Sequence, residues 1–390
     1  MRFVVRVVAG AGVLALSPLA GLAALAGMAM AGARPAVFAV TGLAVFGSVF
    51  FLGLLLCVPR PEAPWGRWSR AVLVLAVEGA VVWWVSGATL TPPPAPVAAA
   101  PVAGQREWRL PTGSRLAYVR IAPKRVTRAE PVVFLHGGPG VADLAADSAF
   151  YGRLSADGYE VYVYDQLGAG RSARLPDPGA YGLARDVADL EAVRQAIGAR
   201  RMNLVARDHG ARLAAAYLAG HPDRVSRAAL VSPAALDRPQ TQTLLDGRPP
   251  DPRTLAVYTL LRVEPRAAHT FAGDGEIDGK VDARPGRDHA TCAAATATGG
   301  YASLVRRPPP PGLREALARV NVPVLVVKGT CDGQPWSAAT DYRRALPGAR
   351  FAYVKDGGTA YLATLRTFLA DRPLPAYEAA TPPPGYRGPW

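Results

Sequence analysis

Three long apolar runs open the chain. Val4 to Met30 is interrupted only by Arg6 and by small or turn-prone residues such as Pro18. Pro35 to Val58 forms a second run, and Ala71 to Val85 a third that carries Glu78. A helix crossing a bilayer core needs roughly 20 apolar residues. The pattern therefore predicts a transmembrane region over 1–90, with about three helices at 4–30, 35–58 and 71–88. The first run also fits a cleaved signal peptide, with Arg2 and Arg6 before it and Ala-Met-Ala-Gly-Ala at its end. The apolar spans that follow favour an uncleaved helix. Arg2 and Arg6 flank the first span, and Arg60, Arg67 and Arg70 crowd the second loop, whereas Arg34 stands alone in the first loop. By the positive-inside rule the N-terminus and second loop lie in the cytoplasm, and everything after the third span lies outside. The expectation is a multi-pass cell-membrane protein, with the lipid bilayer as partner and an extracytoplasmic C-terminal domain.

The pattern then changes. Residues 91–104 are rich in Pro and Ala without charge, which suits an extended linker. Residues 105–111 and 114–121 alternate around Thr112-Gly113 and predict a hairpin. Short β-rich runs follow at Val132–Leu135, Tyr159–Tyr164, Met202–Ala206, Ala228–Ser232, Val322–Lys328 and Ala349–Lys355, separated by helical stretches. Strands alternating with helices predict an α/β domain over 105–372, with a mostly parallel sheet covered on both faces. The stretch 237–312, rich in Pro, Gly, Arg and Asp, breaks the rhythm and reads as an insertion after the sixth strand. A Pro-rich tail, 373–390, closes the chain.

Composition alters this picture little. Half of the residues are hydrophobic, with the excess near the N-terminus, and the net charge of +14 comes almost wholly from arginine. Only Lys124, Lys280, Lys328 and Lys355 are lysines. The arginines are scattered, without a basic run or interleaved aromatics, so nucleic acid is not an expected partner. Three cysteines, Cys57, Cys292 and Cys331, are too few for a disulfide framework and lack metal spacing. No metal or cofactor is expected. An outside location would let Cys292 and Cys331 pair as a disulfide.

Two motifs carry candidate chemistry. His136-Gly137-Gly138-Pro139-Gly140 follows the strand Val132–Leu135, and Asp165-Gln166-Leu167-Gly168-Ala169-Gly170-Arg171-Ser172 follows the next strand. Glycines at a strand end let backbone N–H groups approach a substrate oxygen. The pair resembles the proline-iminopeptidase-like branch of the α/β-hydrolases, which shows HGGPG followed by DQxGxGxS. The resemblance covers about 105–372 and implies an α/β-hydrolase fold whose cap is the 237–312 insertion. It also implies an oxyanion hole built by Gly137, Gly138 and the backbone of His209, which follows the nucleophile position.

That family carries its nucleophile in G-x-S-x-G after the fifth strand. Here the strand runs into Ala206-Arg207-Asp208-His209-Gly210-Ala211, so Asp208 occupies the nucleophile position. Two readings of Asp208 stand: a carboxylate nucleophile like that of epoxide hydrolases and haloalkane dehalogenases, or a polar turn residue left after loss of the serine. A carboxylate attacks an alkyl carbon without a base, but on an amide it would give a reversible anhydride. Gly329-Thr330-Cys331-Asp332 resembles the acid loop and places Asp332 as the triad acid. After Ala349–Lys355 the histidine loop is short: Asp356-Gly357-Gly358-Thr359-Ala360-Tyr361 leads at once into the last helix. His136, His209 and His221 have other places in the family pattern, and His269 and His289 lie in the cap. Three functions are open: an iminopeptidase-like hydrolase with an incomplete triad and little turnover, an Asp-nucleophile hydrolase with Tyr258 and Tyr301 as cap tyrosines, or a non-catalytic domain that binds a small molecule, peptide or partner in the cap cleft.

Overall fold

A computed structural model describes residues 2–94, 101–138, 142–237, 250–282, 286–287, 294–295, 311–355 and 357–390. The described residues fall into two compact units.

The first unit begins with α1 (Arg2–Met30), α2 (Pro35–Cys57) and α3 (Pro64–Leu90). All three are long and apolar enough to cross a membrane, with candidate spans of 25, 23 and 27 residues. At 1.5 Å per residue each exceeds a hydrocarbon core of about 30 Å. Proline at the first helical turn starts both α2 and α3, where a missing N–H costs nothing. The third helix starts at Pro64 instead of the expected residue 71. Arg67 and Arg70 thus belong to its first turns, since a long cationic side chain can reach out from a helix end. Arg70 turns back to donate from Nε to Val58 O (2.9 Å) and from Nη2 to Leu55 O (2.9 Å), carbonyls at the end of α2.

α1 and α2 pack through glycine. A Cβ on Gly21 would lie 2.8 Å from Phe46 Cβ, and one on Gly42 would lie 2.9 Å from Leu25 Cβ. Where lipid removes the hydrophobic drive between helices, such close backbone approach supplies the attraction. The same unit contains α7 (Pro252–Val263) and the first part of α8 (Pro265–Asp282), which kinks at Gly273 (φ 74°). Asp251 caps α7 by accepting from Thr254 N at 2.9 Å, a strong helix start. α7 packs on α1 and α3. The inserted segment was expected to belong wholly with the α/β domain, yet this part of it clusters with the apolar helices, because its buried face meets them.

The second unit is the α/β domain. Its strands are β1 (Gln105–Arg109), β2 (Arg115–Ile121), β3 (Val132–Leu135), β4 (Val161–Tyr164), β5 (Met202–Arg207), β6 (Val225–Val231), β9 (Val324–Gly329) and β10 (Arg350–Val354), with a short ribbon of β7 (Gly286–Arg287) and β8 (Ala294–Ala295). The helices are α4 (Leu144–Tyr151), α5 (Leu183–Ala196), α6 (His209–Gly220), α9 (Leu313–Leu317), α10 (Trp336–Ala345) and α11 (Gly357–Leu369). The main sheet has eight strands in the order β1-β2-β4-β3-β5-β6-β9-β10. The β1/β2 and β2/β4 pairs are antiparallel and the remaining pairs parallel.

Strands β3 and β4 are buried along their whole length, which is why they read as unbroken apolar runs rather than alternating ones. Alternate strand residues Val132, Phe134, Val205, Ala229, Leu325 and Ala352 share one core with residues of α4 and α11, such as Tyr151, Leu365 and Phe368. This packing fixes the C-terminal ends of β3, β5, β6 and β9 at one edge of the sheet, in that order, where ligands bind in open α/β sheets.

Candidate active site

The sharp turn from β5 into α6 holds Asp208 at φ 52°, ψ −114°. A positive φ is strained for a residue with a side chain, and the surroundings enforce it. Asp208 N donates to Val231 O (2.9 Å), and its carbonyl accepts from Ala211 N (3.1 Å) and Ala234 N (3.2 Å). Gly210 is required because a Cβ there would sit 2.3 Å from Leu135 O. Gly137 is required likewise, since its Cβ would lie 2.9 Å from Asp208 Cβ. The structure therefore brings Asp208 against the Gly137-Gly138 loop.

The Asp208 carboxylate is engaged on both oxygens. Gly138 N donates to Oδ2 at 3.0 Å. Gln334 Nε2 donates to Oδ1 at 2.5 Å. The backbone N–H expected to meet a substrate oxyanion is thus directed at the elbow side chain.

His136 holds the glycine loop in place. Its Nε2 accepts from Gln166 N (2.8 Å) and Nδ1 donates to Gly137 O (2.8 Å), while Gln166 Nε2 donates to His136 O (2.8 Å). One nitrogen accepting and the other donating makes this the neutral imidazole.

The second motif folds around Asp165, which is 2% exposed. Its Oδ2 accepts from Arg171 N at 2.8 Å, and Gly170 leaves it room, since a Cβ there would lie 2.2 Å from that oxygen. Burial pushes the Asp165 carboxyl up from 3.8 to about 7, against the pull of the Arg171 N–H. The folded protein therefore binds one more proton than the unfolded chain between about pH 4 and pH 7, and stability falls as pH rises through that window. The expected slope is about 1 kcal/mol per pH unit. Denaturant unfolding at pH 5 and pH 8 should show it, and Asp165→Asn should flatten it. An equal slope in that variant would assign the effect elsewhere.

At the acid loop Asp332 is 1% exposed and Lys328 fully buried. Lys328 Nζ lies 2.8 Å from Asp332 Oδ2 and donates to Gln334 O at 2.5 Å. Asp332 Oδ1 accepts from Gln334 N at 3.0 Å. Burial pushes the Lys328 amine below its usual range, although the Asp332 and Asp208 carboxylates pull it up. Lys328 and Gln334 were not among the residues singled out in the sequence. Lys328 leaves a trace there, as one of four lysines in an arginine-rich chain. Gln334 leaves none.

Each described histidine ring outside the glycine loop has a neighbour of its own. His209 opens α6, so its N–H has no intrahelical acceptor, but its ring sits with Nε2 3.9 Å from Asp186 Oδ2. The ring of His221 lies 4.8 Å from that of Tyr217, and His269 Nδ1 is 3.3 Å from Asp274 Oδ1. β10 ends at Val354 and α11 starts at Gly357. His289, Tyr301 and Cys292 lie outside the described residues. Tyr258 accepts from Arg262 Nη2 on its own helix at 3.0 Å. Cys331 is disulfide-bonded and Cys57 is free.

The Pro-rich tail docks over this loop. Tyr377 N donates to Phe351 O (2.7 Å), Arg387 N to Thr330 O (2.9 Å) and Trp336 N to Pro389 O (2.9 Å). Tyr386 donates from its hydroxyl to Pro389 O (3.0 Å), its ring lies 5.2 Å from that of Trp336, and Lys328 Nζ is 5.8 Å from its centroid. Gly388 fits because a Cβ there would meet Asp332 O at 2.4 Å. The tail thus covers the loop that carries Asp332 and Gln334.

Residues 130–269 match the family model of the alpha/beta hydrolase fold. The chain is 34% identical over 136 residues to a proline iminopeptidase of Lactobacillus helveticus, covering 32% of this chain and 43% of that protein. It is 30% identical over 187 residues to a proline iminopeptidase of Lactobacillus delbrueckii subsp. bulgaricus, covering 45% and 56%. The chain thus spans about half the length of the curated relatives it matches. Among solved structures it is similar to a proline iminopeptidase of Mycobacterium smegmatis at 19% identity, with a TM-score of 0.44 over 68% of this chain and 96% of the other. From its sheet order and the family match, the chain has the α/β-hydrolase fold, and over part of its length it is distantly homologous to proline iminopeptidases.

Proposed function

We propose that this chain is a membrane-anchored α/β-hydrolase-fold protein whose triad is incomplete and whose cleft binds without hydrolytic turnover. The observation that carries this reading is the double capping of Asp208 by Gly138 N and Gln334 Nε2. A carboxylate nucleophile could use the Gly138 N–H on its spectator oxygen, but its attacking oxygen must be free, and here Gln334 holds it. Removal of an ester formed there would need a base to activate water. At the acid position Asp332 is instead paired with Lys328.

Gln334→Ala should expose Oδ1. After incubation with an epoxide or alkyl-halide probe, intact mass spectrometry is expected to show no adduct on the wild-type chain. It should show a single persistent adduct on Asp208 in Gln334→Ala. Probe hydrolysis by the wild type, passing through an Asp208 ester, would favour an Asp-nucleophile hydrolase instead.

The α/β domain is assigned outside the cytoplasm, supported by the arginine asymmetry around α1 to α3 and by the disulfide at Cys331, which suits an oxidising compartment. Its partner in this reading is Cys292.

A further inference from the structure

Within the first unit, α1, α2, α3 and the start of α7 line a half-open cavity of about 360 Å³. Its wall runs from Leu14 to Leu25 on α1, from Ala39 to Phe50 on α2 and from Val81 to Thr89 on α3. Pro250, Pro252 and Leu255 close one end. We propose that this cavity holds the alkyl chain of a bilayer phospholipid.

Three observations converge on that occupant. The volume falls in the range of small-molecule sites. The eleven residue steps from Leu14 to Leu25 on α1 rise about 16 Å, which matches the depth of one leaflet, half of a core of about 30 Å. Among the described residues no charged one lines the wall, and its polar groups are the hydroxyls of Ser17 and Thr89 and the indole N–H of Trp84. The Ser17 hydroxyl is already spent on Leu14 O at 2.7 Å. A ligand that needed hydrogen bonds or a counter-charge would lose its water without replacement, whereas an alkyl chain needs neither. The walls are the helices apolar enough to cross a membrane, so phospholipid is the alkyl source at hand. Leu255 is the informative residue, because α7 is not one of the candidate spans.

The test uses the full chain in nanodiscs of a phosphatidylcholine carrying a diazirine on the carbons nearest the ester of one acyl chain, with a free fatty acid bearing the same diazirine in a parallel arm. Photolabel on Leu255 and Pro252 is expected from the phospholipid, beside label on outward residues such as Leu52 and Val72, which are 56% and 65% exposed. Leu43→Trp, which fills the cavity from α2, should lower the α7 label at least tenfold and leave the Leu52 and Val72 label unchanged. Should Leu43→Trp also lose the outer label, Val81→Trp fills the same space from α3 and is read in its place. Absence of α7 label in the wild type, persistence of it in the filled variant, or labelling by the fatty acid alone would each overturn the proposal.

Discussion

Lys328→Met is expected to destabilise the α/β domain by about 3–5 kcal/mol, the usual result of removing one partner of a buried ion pair. The melting temperature should fall by roughly 10 °C for a domain of this size. Lys328 is fully buried and Asp332 is 1% exposed, and their charged atoms lie 2.8 Å apart. Without the amine, the Asp332 carboxylate keeps the Gln334 N–H but has lost its counter-charge in a low dielectric. Gln334 also loses the contact from Lys328 Nζ to its carbonyl, so the loop that presents its amide to Asp208 should loosen. The double variant Lys328→Met/Asp332→Leu removes both charges and should recover most of the loss, because apolar packing can replace a buried pair. Fluorescence-detected melting of the four proteins in the cycle measures the coupling. Simple additivity would show that the pair contributes nothing.

Arg253→Ala should have a comparable effect in the first unit. The guanidinium meets both Glu276 carboxylate oxygens at 2.7–2.9 Å, donates to Thr89 O at 2.7 Å, and lies 4.6 Å from the Phe271 ring centroid. Both charged side chains are almost fully buried, at 6% and 4% exposed. Thr89 stands in the last turn of α3, where a cation also complements the free carbonyls. Removing Arg253 takes its ion-pair contacts from a buried Glu276 carboxylate, at a cost of about 3–5 kcal/mol. Amide exchange over 250–276 should accelerate by two orders of magnitude or more. Arg253→Lys should recover only part, because an ammonium is a point charge and cannot span three partners at once. Unchanged exchange in Arg253→Ala would mean that α7 and α8 are held by their apolar contacts alone.

The parallel sheet was legible because its strands are buried on both faces and so appear as compact apolar runs, Val132–Leu135 being found at its expected limits. The elbow was legible too, since helix α6 keeps register with the strand before it and places Asp208 on the turn. The partners of Asp208 and Asp332 were not equally visible. Gln334 is 126 residues from Asp208, and nothing local in an amide side chain foretells that contact. Lys328 looked like a strand end, although it sits four residues before Asp332 and pairs with it. The tail read as a Pro-rich extension because several of its attachments are backbone hydrogen bonds to Phe351, Thr330 and Trp336, which leave no pattern in side-chain type, and its ring contact to Trp336 spans 50 residues. The start of α3 was read late because three arginines resembled a loop.

The central proposal is that Asp208, capped at the elbow by Gly138 and Gln334, supports no hydrolytic turnover, and hydrolysis of proline p-nitroanilide by the full chain beside Asp208→Ala tests it most directly. Both proteins are expected to match the buffer blank at every pH from 5 to 9. A rate above the blank that vanishes in Asp208→Ala would contradict the account and restore the chain to the working hydrolases.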